Sequence, residues 1–341
     1  TFVLVRGVWD KHGDKVTPDV PKALTPWPAD APRDRLGLAR WLTSPENPLA
    51  GRVAVNHLWQ MLFGQGIVRT TEDFGLQGER PSHPELLDWL AVDLVKHGWD
   101  LKRTLKLIVM SRTYRQDSAV SAALLAKDPE NRLLARGARF RLPSWMIRDA
   151  ALRSAGLFNP VLGGPPVRPY QPDGVWEELF MGRFKYEASE GPAQYRRTLY
   201  AFWRRSIAPT FLFDSAQRRS CEVRTGRTNT PLQALTLQND ATYLESSQAI
   251  AAELLREGGD ATRIQSLFRR VLSREANDQE AALLGRTLMK ARDHYRAQPA
   301  AAAQFLRVGQ RTHAKGADLS ELAAWTVVAS LTLNLDEAIT R

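Results

Sequence analysis

The chain has 341 residues, of which 43% are hydrophobic, and a formal net charge of +10. A chain of this size can bury a substantial core in one large domain or two. No stretch reaches the apolar length of a membrane-spanning helix. Cys221 is the single cysteine, which excludes an internal disulfide, a C-x-x-C-H haem attachment and a thiolate metal cluster. We expect Cys221 to be a buried, small apolar residue, as free cysteines usually are.

The first thirty residues predict a short β element followed by a linker. FVLVRGV alternates loosely in the manner of a strand, and the residues after it are punctuated by Gly and Pro. The chain begins without a methionine and already inside this pattern, which is typical of a fragment of a longer protein. We therefore expect residues 1–30 to belong partly to a preceding domain, and residues 31–341 to form one helical domain.

From Arg33 onward the spacing of apolar residues becomes helical. The third of the predicted helices has the clearest end signals. Ser82 can act as its N-cap, Glu85 completes a capping box, and Gly98 suits the end of the helix. The helices predicted in this part of the chain are 34–43, 49–63, 83–97 and 101–115.

The second of these helices contains Asn56 and Gln60, one turn apart in a helix that is otherwise apolar nearly all round, with His57 between them. One interpretation is a buried polar pair that fixes the position of the helix in the core. The other is a floor of hydrogen-bonding groups beneath a pocket. The six histidines form no i, i+4 pair, so the sequence does not predict a metal site built from histidine.

The centre of the chain is irregular. After a helix near 144–157, residues 159–180 are dominated by Gly, Pro and aromatic residues and cannot be helical for most of their length. Residues 194–206 fit either a helix or a strand, and we favour the helix. Helices are then predicted to the end of the chain, at 231–238, 241–257, 261–273, 278–297, 299–308 and 319–335.

These elements predict a mainly α fold. It should have a short N-terminal β element, an irregular Gly/Pro/Arg-rich central region and many helices around a single core. No polar linker isolates the helices of 34–115 from those of 231–335, so we expect the two sets to share that core. The sequence shows no internal repeat.

The segment 213–240 carries many polar side chains that can each form several hydrogen bonds. Thr230 can act as an N-cap, Pro231 suits the first helical position, and Gln233 completes a capping box. The remaining polar groups must pair with each other, with the backbone or with a ligand. We predict a connected hydrogen-bonded cluster near the Gly/Pro-rich loop, with its purpose, structural or ligand-binding, left open. Its members are Arg224, Arg227, Asn229, Gln233, Asn239 and Asp240.

Positive charge is concentrated in residues 131–230, which carry 17 Lys and Arg against 8 Asp and Glu. All but Lys185 of these cations are arginine, whose planar guanidinium suits carboxylates, sulfates and phosphates. Two interpretations are open. The arginines either bind carbonyls and carboxylates within a loop-rich region, or they form an anion-binding surface.

The common catalytic motifs are mostly missing from this sequence, which has no G-x-S-x-G, no P-loop and no G-x-G-x-x-G. The weak catalytic candidates are Glu177, Glu178 and Asp214, because sugar hydrolysis needs two carboxylates beside an aromatic platform. Adjacent glutamates more often form a solvated helix start. The residues expected to contact a ligand, in addition to the predicted cluster, are Arg168, Tyr170 and Trp176, with Phe184 and Tyr186 as further aromatic candidates.

Blocks at 35–91, 100–118, 163–180 and 322–341, together with segment 213–240, resemble a planctomycete-type domain of unknown function, the PSD domain. The resemblance implies a periplasmic or secreted protein in which this domain is the C-terminal module after cytochrome c domains. No cofactor is expected in this chain, and a haem c would be attached elsewhere in the parent protein. Trp145 stands before the triplet Ile147–Asp149 at a place where relatives often carry an acidic residue.

Three classes of function follow. The first is a non-catalytic module that docks the preceding domains and presents a glycan-binding face, with anionic polysaccharide as the ligand. The second is an enzyme that acts on anionic polysaccharide through a carboxylate pair. The third is a nucleic-acid binder, which ranks last because the basic region holds one lysine and no known nucleic-acid motif. Whether the domain is catalytic is left open.

Overall fold

The computed structural model describes residues 1–179, 181–204, 207–214, 222–223, 226–313 and 316–341. It divides the chain into two compact units, residues 1–139 and residues 140–341. Helices dominate both units, which confirms the prediction of a mainly α fold.

The N-terminal unit begins with a small antiparallel hairpin. Its strands are β1 (Phe2–Leu4) and β2 (His12–Lys15), and every residue of both strands is exposed. This hairpin confirms the predicted short β element. An isolated two-stranded hairpin is marginally stable in water.

The helices of this unit begin and end close to where they were predicted, with two exceptions. Helix α4 ends six residues earlier than expected, and α5 was not predicted. The helices are α1 (Arg35–Thr43), α2 (Ala50–Phe63), α3 (Pro84–Lys96), α4 (Leu101–Val109) and α5 (Ala122–Lys127). Their buried apolar side chains include Val55, Trp59, Phe63, Leu87, Leu90, Leu94 and Ile108.

The predicted cap of α3 is wrong. His83 is the residue before the helix, and no side chain caps it. The Ser82 hydroxyl instead contacts the carbonyl of Ile67 at 3.3 Å and Nδ1 of His83 at 3.0 Å. Pro84 at the first helical position reduces the need for a cap, because its nitrogen carries no hydrogen that needs an acceptor.

Asn56 and Gln60 fasten a loop to α2. Asn56 donates to the carbonyl of Val68 at 3.0 Å and accepts from the Val68 amide at 2.9 Å. The Thr71 hydroxyl donates to Gln60 Oε1 at 2.6 Å. Both side chains are buried, so these bonds satisfy groups that would otherwise be costly inside the core. Of the two sequence interpretations, this geometry fits the buried polar pair.

The C-terminal unit opens with α6 (Ser144–Ser154), followed by the irregular centre. The centre contains the short α7 (Val175–Leu179) and two 3₁₀ turns, Gly191–Tyr195 and Thr198–Tyr200. The helix predicted at 194–206 is therefore wrong. The amide of Val167 donates to the carbonyl of Tyr200 at 2.8 Å, and the amide of Phe202 donates to Val167 at 2.7 Å. These pairings use backbone groups that a helix would need.

The remaining helices follow the predicted order, except that the short last helix was not predicted. They are α8 (Pro231–Asn239), α9 (Ala241–Leu254), α10 (Asp260–Leu272), α11 (Asp278–Ala297), α12 (Pro299–Phe305), α13 (Leu319–Leu333) and α14 (Asp336–Ile339). Helices α9 and α13 pack against each other and carry most of the fully buried residues of the unit. Ala251 and Ala323, both fully buried, are small enough to let helices approach closely.

The buried apolar side chains form two clusters among the described residues. One cluster lies within residues 55–108 and the other within residues 147–339. Each cluster falls inside one of the compact units. The change from one unit to the next falls between residues 139 and 140.

Candidate binding site at the start of helix α9

Helices α8 and α9 meet at Asp240, and local hydrogen bonds define both helix starts. Thr230 and Gln233 form the predicted capping box at the start of α8. Asp240 caps α9, because its Oδ1 accepts from the Thr242 amide at 2.9 Å. The other carboxylate oxygen accepts a hydrogen bond from the Thr210 hydroxyl. These two bonds hold the Asp240 carboxylate at the point where α8 ends and α9 begins.

A pocket of about 400 Å³ opens at this junction. Tyr170, Gln171 and Pro172 from the irregular centre contribute to its wall, and Asn239 and Asp240 line it from the helices. Its remaining lining residues are Thr210, Leu235, Thr236 and Ala241. Volumes of this order are usual for small-molecule sites, which combine apolar walls with a few polar groups.

Behind the pocket lies Glu245, which is fully buried in α9. Its carboxylate accepts from the hydroxyls of Tyr170 and Tyr195, each at 2.9 Å. It also accepts from the backbone amides of Gln310 at 2.9 Å and Arg311 at 3.0 Å. Four donors surround this carboxylate in a place where an unpaired charge would be very costly.

The surroundings of Glu245 determine the chemistry of the two tyrosines. Burial, together with the adjacent Glu245 carboxylate, raises the pKa of Tyr170 well above its ordinary value. Burial, and to a smaller extent Glu245, raises the pKa of Tyr195 to about 12. Both hydroxyls therefore stay protonated at neutral pH and act as donors to Glu245. This arrangement fixes the ring of Tyr170 in the pocket wall.

Glu245 was not predicted from the sequence. The composition of its helix is ordinary, and a glutamate in such a helix is usually solvated. The one residue whose type reflects the position of Glu245 is Gly309, which lies against its carboxylate. Its φ is +87°, and a Cβ on it would lie 2.6 Å from Cδ of Glu245. Only glycine fits at this position.

Arg148 forms a second buried charged centre in the same unit. It is 1% exposed and donates to the carbonyls of Arg196 at 3.0 Å and Gln194 at 2.9 Å. Asp149 accepts from the backbone amide of Thr198 at 2.9 Å and from its hydroxyl at 2.6 Å. Burial lowers the pKa of Arg148, although an arginine still remains charged. The Arg148–Asp149 pair therefore holds the 194–198 turn against α6.

Asp214 lies near the predicted cluster but is occupied by structural bonds. Its carboxylate accepts from the Thr228 amide at 2.7 Å, the Thr228 hydroxyl at 2.8 Å and the Gln233 amide group at 3.3 Å. Gln233 also donates to the Thr228 hydroxyl at 2.7 Å. These bonds make the Asp214 carboxylate a structural group that holds the residues before α8 in place.

The other members of the predicted cluster have separate partners among the described residues. Asn229 accepts from Arg141 at 2.9 Å, and the Arg227 guanidinium lies 4.7 Å from the centre of the Phe140 ring. Asn239 donates to the carbonyl of Leu235 at 2.8 Å. Arg224 and Cys221 lie outside the described residues, so the predictions for them stay predictions.

Trp176 is 1% exposed, and its ring contacts Phe184, Tyr186 and Phe202 at centroid distances of 5.1–5.7 Å. Other rings therefore cover the faces of Trp176. An aromatic side chain that stacks on a sugar needs an exposed face. The exposed Arg168 lies over Phe184 at 5.8 Å. The glutamates 177 and 178 lie in the short α7, partly or fully exposed, and neither of them lines the pocket.

Several arginines of the basic region bind backbone carbonyls. Arg196 donates to the carbonyls of Val161 at 3.2 Å, Gly163 and Pro165 at 2.9 Å. Arg136 donates to the carbonyls of Asp128 at 3.0 Å and Pro129 at 2.9 Å. These contacts fit the first of the two interpretations, in which the arginines bind carbonyls within a loop-rich region.

A family model matches residues 34–288, under the description PSD1, protein of unknown function (DUF1553). The chain belongs to the PSD1 family. No curated protein and no solved structure matched the chain. The matched range contains every residue that lines the pocket, and it contains Glu245 and Arg148 as well.

Two further findings bear on this PSD1 domain. Within the described ranges, no group of three or more His, Cys, Asp or Glu side chains is arranged to hold a metal ion. In the same part of the chain, no helix combines the length and apolarity that crossing a membrane requires.

Proposed function

We propose that this PSD1 domain is a binding module that takes a hydroxylated ligand, a saccharide unit, in the pocket where α8 meets α9. The observation that carries the proposal is the pocket itself. Tyr170, Asn239 and Asp240, three residues singled out from the sequence, line one volume of about 400 Å³. A buried carboxylate, Glu245, holds Tyr170 in place behind it.

The lining chemistry supports a ligand rich in hydroxyl groups. Asp240 accepts hydrogen bonds, Asn239 both donates and accepts, and Thr236 does the same through its hydroxyl. Leu235 and Pro172 offer apolar surface for the C–H face of a sugar ring. Among the described residues that line the pocket there is no lysine or arginine, so a neutral sugar is favoured over an anionic one at this place.

Anionic polysaccharide is the second candidate ligand, on a different surface. The supporting observation is that exposed arginines stack on aromatic rings of the irregular centre. Arg168 lies over Phe184 at 5.8 Å, and Arg197 lies over Phe158 at 5.3 Å. Such pairs leave the guanidinium edge free to meet a sulfate or carboxylate group.

An enzymatic function is less well supported. Hydrolysis of a glycosidic bond needs two carboxylates that flank it. Asp240 is the one carboxylate among the described pocket residues. Glu245 lies behind the pocket and is fully buried beneath its four donors. Asp214 is occupied in the same way by Thr228 and Gln233. Binding without turnover therefore fits the geometry better.

The proposal extends to the context of the domain. The resemblance described above supports a periplasmic or secreted protein of planctomycete type, in which this module follows cytochrome c domains and docks against them. A haem would have to be attached to those domains, because this chain has one cysteine and cannot form the usual attachment motif.

The test is a calorimetric titration of the protein with neutral and sulfated oligosaccharides at low and physiological salt. Asp240→Asn keeps a good N-cap but removes the charge, and it should weaken binding of a neutral ligand about tenfold or more. Asn239→Ala should weaken it about fivefold. Gln238→Ala, an exposed amide on the same helix outside the pocket, is the matched control.

Two results would contradict the proposal. One is the absence of binding to any oligosaccharide of the panel. The other is binding that Asp240→Asn and Asn239→Ala leave at the level of the control. Preference for sulfated ligands, lost on Arg168→Ala and kept in Asp240→Asn, would instead support the second candidate.

A further inference from the structure

The side chains that line the pocket between α8 and α9 offer a ligand more hydrogen-bond acceptors than donors. The Thr210 hydroxyl donates to the Asp240 carboxylate. The Tyr170 hydroxyl donates to the carboxylate behind the pocket at 2.9 Å. The Thr236 hydroxyl donates to the carbonyl of Leu232 at 3.0 Å. The hydrogens of all three hydroxyls are therefore used within the protein, and the two threonine hydroxyls meet a ligand as acceptors.

The two side-chain amides of the lining add little donor capacity. Nδ2 of Asn239 donates to the carbonyl of Leu235 at 2.8 Å, so one of its two hydrogens is already used. Nε2 of Gln171 has almost no accessible surface, and a ligand in the pocket cannot reach it. A ligand that bonds to these side chains must therefore supply most of the hydrogens itself.

Asp240 gives this wall a negative charge. Its two carboxylate oxygens accept one hydrogen bond each, from the Thr242 amide at 2.9 Å and from the Thr210 hydroxyl, whereas a carboxylate can accept about four. It forms no ion pair in the part of the chain that the structure describes, and no lysine or arginine is among the pocket residues. Arg148, whose charge acts on Asp240, is 1% exposed and donates to backbone carbonyls instead. Acceptor positions on a charged oxygen thus remain for a ligand.

An ammonium group matches this wall better than a hydroxyl does. It brings three hydrogens and no acceptor, and its charge is opposite to that of Asp240. A hydrogen bond with charged partners is roughly twice as strong as one between neutral groups. The ring of Tyr170, in the same wall, adds an aromatic surface of the kind that attracts cations. A sulfate or carboxylate group brings only acceptors and negative charge, so the wall disfavours it.

We infer that this pocket binds a protonated amino group, seated against the Asp240 carboxylate, and that the saccharide unit proposed above is an amino sugar. The inference rests on the proposed function for the sugar ring, which Leu235 and Pro172 would contact. Asn239 and Thr236 would accept hydrogen bonds from its hydroxyls. The preference is local, because the chain as a whole carries a charge of +10 and repels cations at long range. Physiological salt screens that repulsion within about 8 Å.

The test is an NMR titration of the full chain with glucose and with glucosamine, at physiological salt and slightly below neutral pH. The two sugars differ at one position, where glucosamine carries an ammonium group in place of a hydroxyl. The wild-type protein should bind glucosamine about tenfold more tightly. Asp240→Asn keeps the helix cap but removes the charge, and it should abolish this preference. Asp278→Asn makes the same change at the exposed first residue of α11, outside the pocket, and should keep it.

A second variant adds charge instead of removing it. Asn239→Asp places another carboxylate on the same wall, and the preference for glucosamine should rise about threefold, as expected for a partly exposed charge pair. Far-ultraviolet circular dichroism checks that the variants are folded, and if Asp240→Asn is not, Asn239→Asp decides the question alone. Equal binding of the two sugars to the wild-type protein, or a preference that Asp240→Asn leaves intact, overturns the inference and leaves the proposed saccharide site standing.

Cyclohexanol and protonated cyclohexylamine separate this inference from the proposed function. They carry the same difference between a hydroxyl and an ammonium group on a ring that is not a sugar. If neither sugar binds, the saccharide proposal fails and these two probes decide the inference. A preference for cyclohexylamine that Asp240→Asn abolishes then supports the ammonium site, whereas equal affinities or no binding overturn it.

Discussion

The two units of the chain stabilise their non-helical segments differently. In residues 1–139, the most deeply buried side chain that fastens a loop is neutral, since Asn56 pairs with both backbone groups of Val68, while the charged Asp128 and Arg136 are less deeply buried. In residues 140–341, buried charges fasten the loops, as when Arg148 and Glu245 bind segments 46–75 residues away in sequence. A charged group forms hydrogen bonds roughly twice as strong as a neutral one, but it is far more costly when a partner is lost. The C-terminal unit should therefore be the more sensitive to single polar substitutions.

The largest expected effect is that of Arg148→Met. The change removes the donors to Gln194 and Arg196 and leaves Asp149 without its neighbouring cation. Loss of one member of a buried charged network costs about 3–5 kcal/mol. The free energy of unfolding, measured with urea, should fall by that amount, and hydrogen exchange should locate the loss in residues 140–341. Arg153→Met, on the exposed side of the same helix, should change it by less than about 0.5 kcal/mol. Equal effects of the two changes would refute the role of Arg148.

Glu245→Gln should have the next largest effect. A glutamine side chain has one acceptor oxygen where the glutamate has two, so at least one of the bonds to Tyr170, Tyr195 and the 310–311 amides is lost. We expect a loss of about 2–3 kcal/mol in the free energy of unfolding, because each bond involves a charged acceptor. Glu253→Gln, farther along α9 and partly exposed, is the control. A stability equal to that of the control would show that the Glu245 charge is not needed.

Asn56→Ala should cost less, about 1–3 kcal/mol, because neutral groups are left unpaired in the N-terminal unit. The change removes both bonds between α2 and Val68 while the helix itself favours alanine. Hydrogen exchange at the Val68 amide should accelerate, whereas amides of α9 should keep their protection. Acceleration in both units to the same extent would contradict the separation of their cores.

The smallest effect concerns alkaline pH. Burial and Glu245 raise the pKa of Tyr195 to about 12 in the folded protein, against about 10 when unfolded. Since the folded pKa is the higher one, this contribution to stability is complete below pH 10 and is lost as the pH rises from 10 to 12. Tyr195→Phe should make the free energy of unfolding fall less steeply over that range. An unchanged slope would show that the Tyr195 hydroxyl is not held protonated by its surroundings.

Short-range signals made part of this structure predictable from the sequence. The capping box of Thr230 and Gln233 was predicted because all of its partners lie within three residues. Most helices of both units followed from their apolar spacing, whereas the short α5 and α14 did not. The 194–206 helix was predicted wrongly because the competing backbone partner, Val167, lies more than 25 residues earlier.

The site was harder to predict, since its determinants are far apart in sequence. Asp240 and Tyr170 were both predicted as ligand contacts, with the cluster of Asp240 placed near the loop of Tyr170, but no residue close to either one in sequence indicated the pocket itself. Glu245 was missed because its donors come from three distant segments. The burial of Trp176 was likewise decided by rings at positions 184, 186 and 202.

The way Arg148 binds the 194–198 turn has a consequence for the order of folding. The carbonyls it contacts are about 50 residues away, and the segment between them has little regular structure of its own. That segment cannot become ordered until α6 has formed and closed this long loop, which delays it on entropic grounds. In pulse-labelled hydrogen exchange during refolding, amides of residues 159–201 should gain protection after those of α9 and α13. Simultaneous protection would mean that the centre folds together with the helical core.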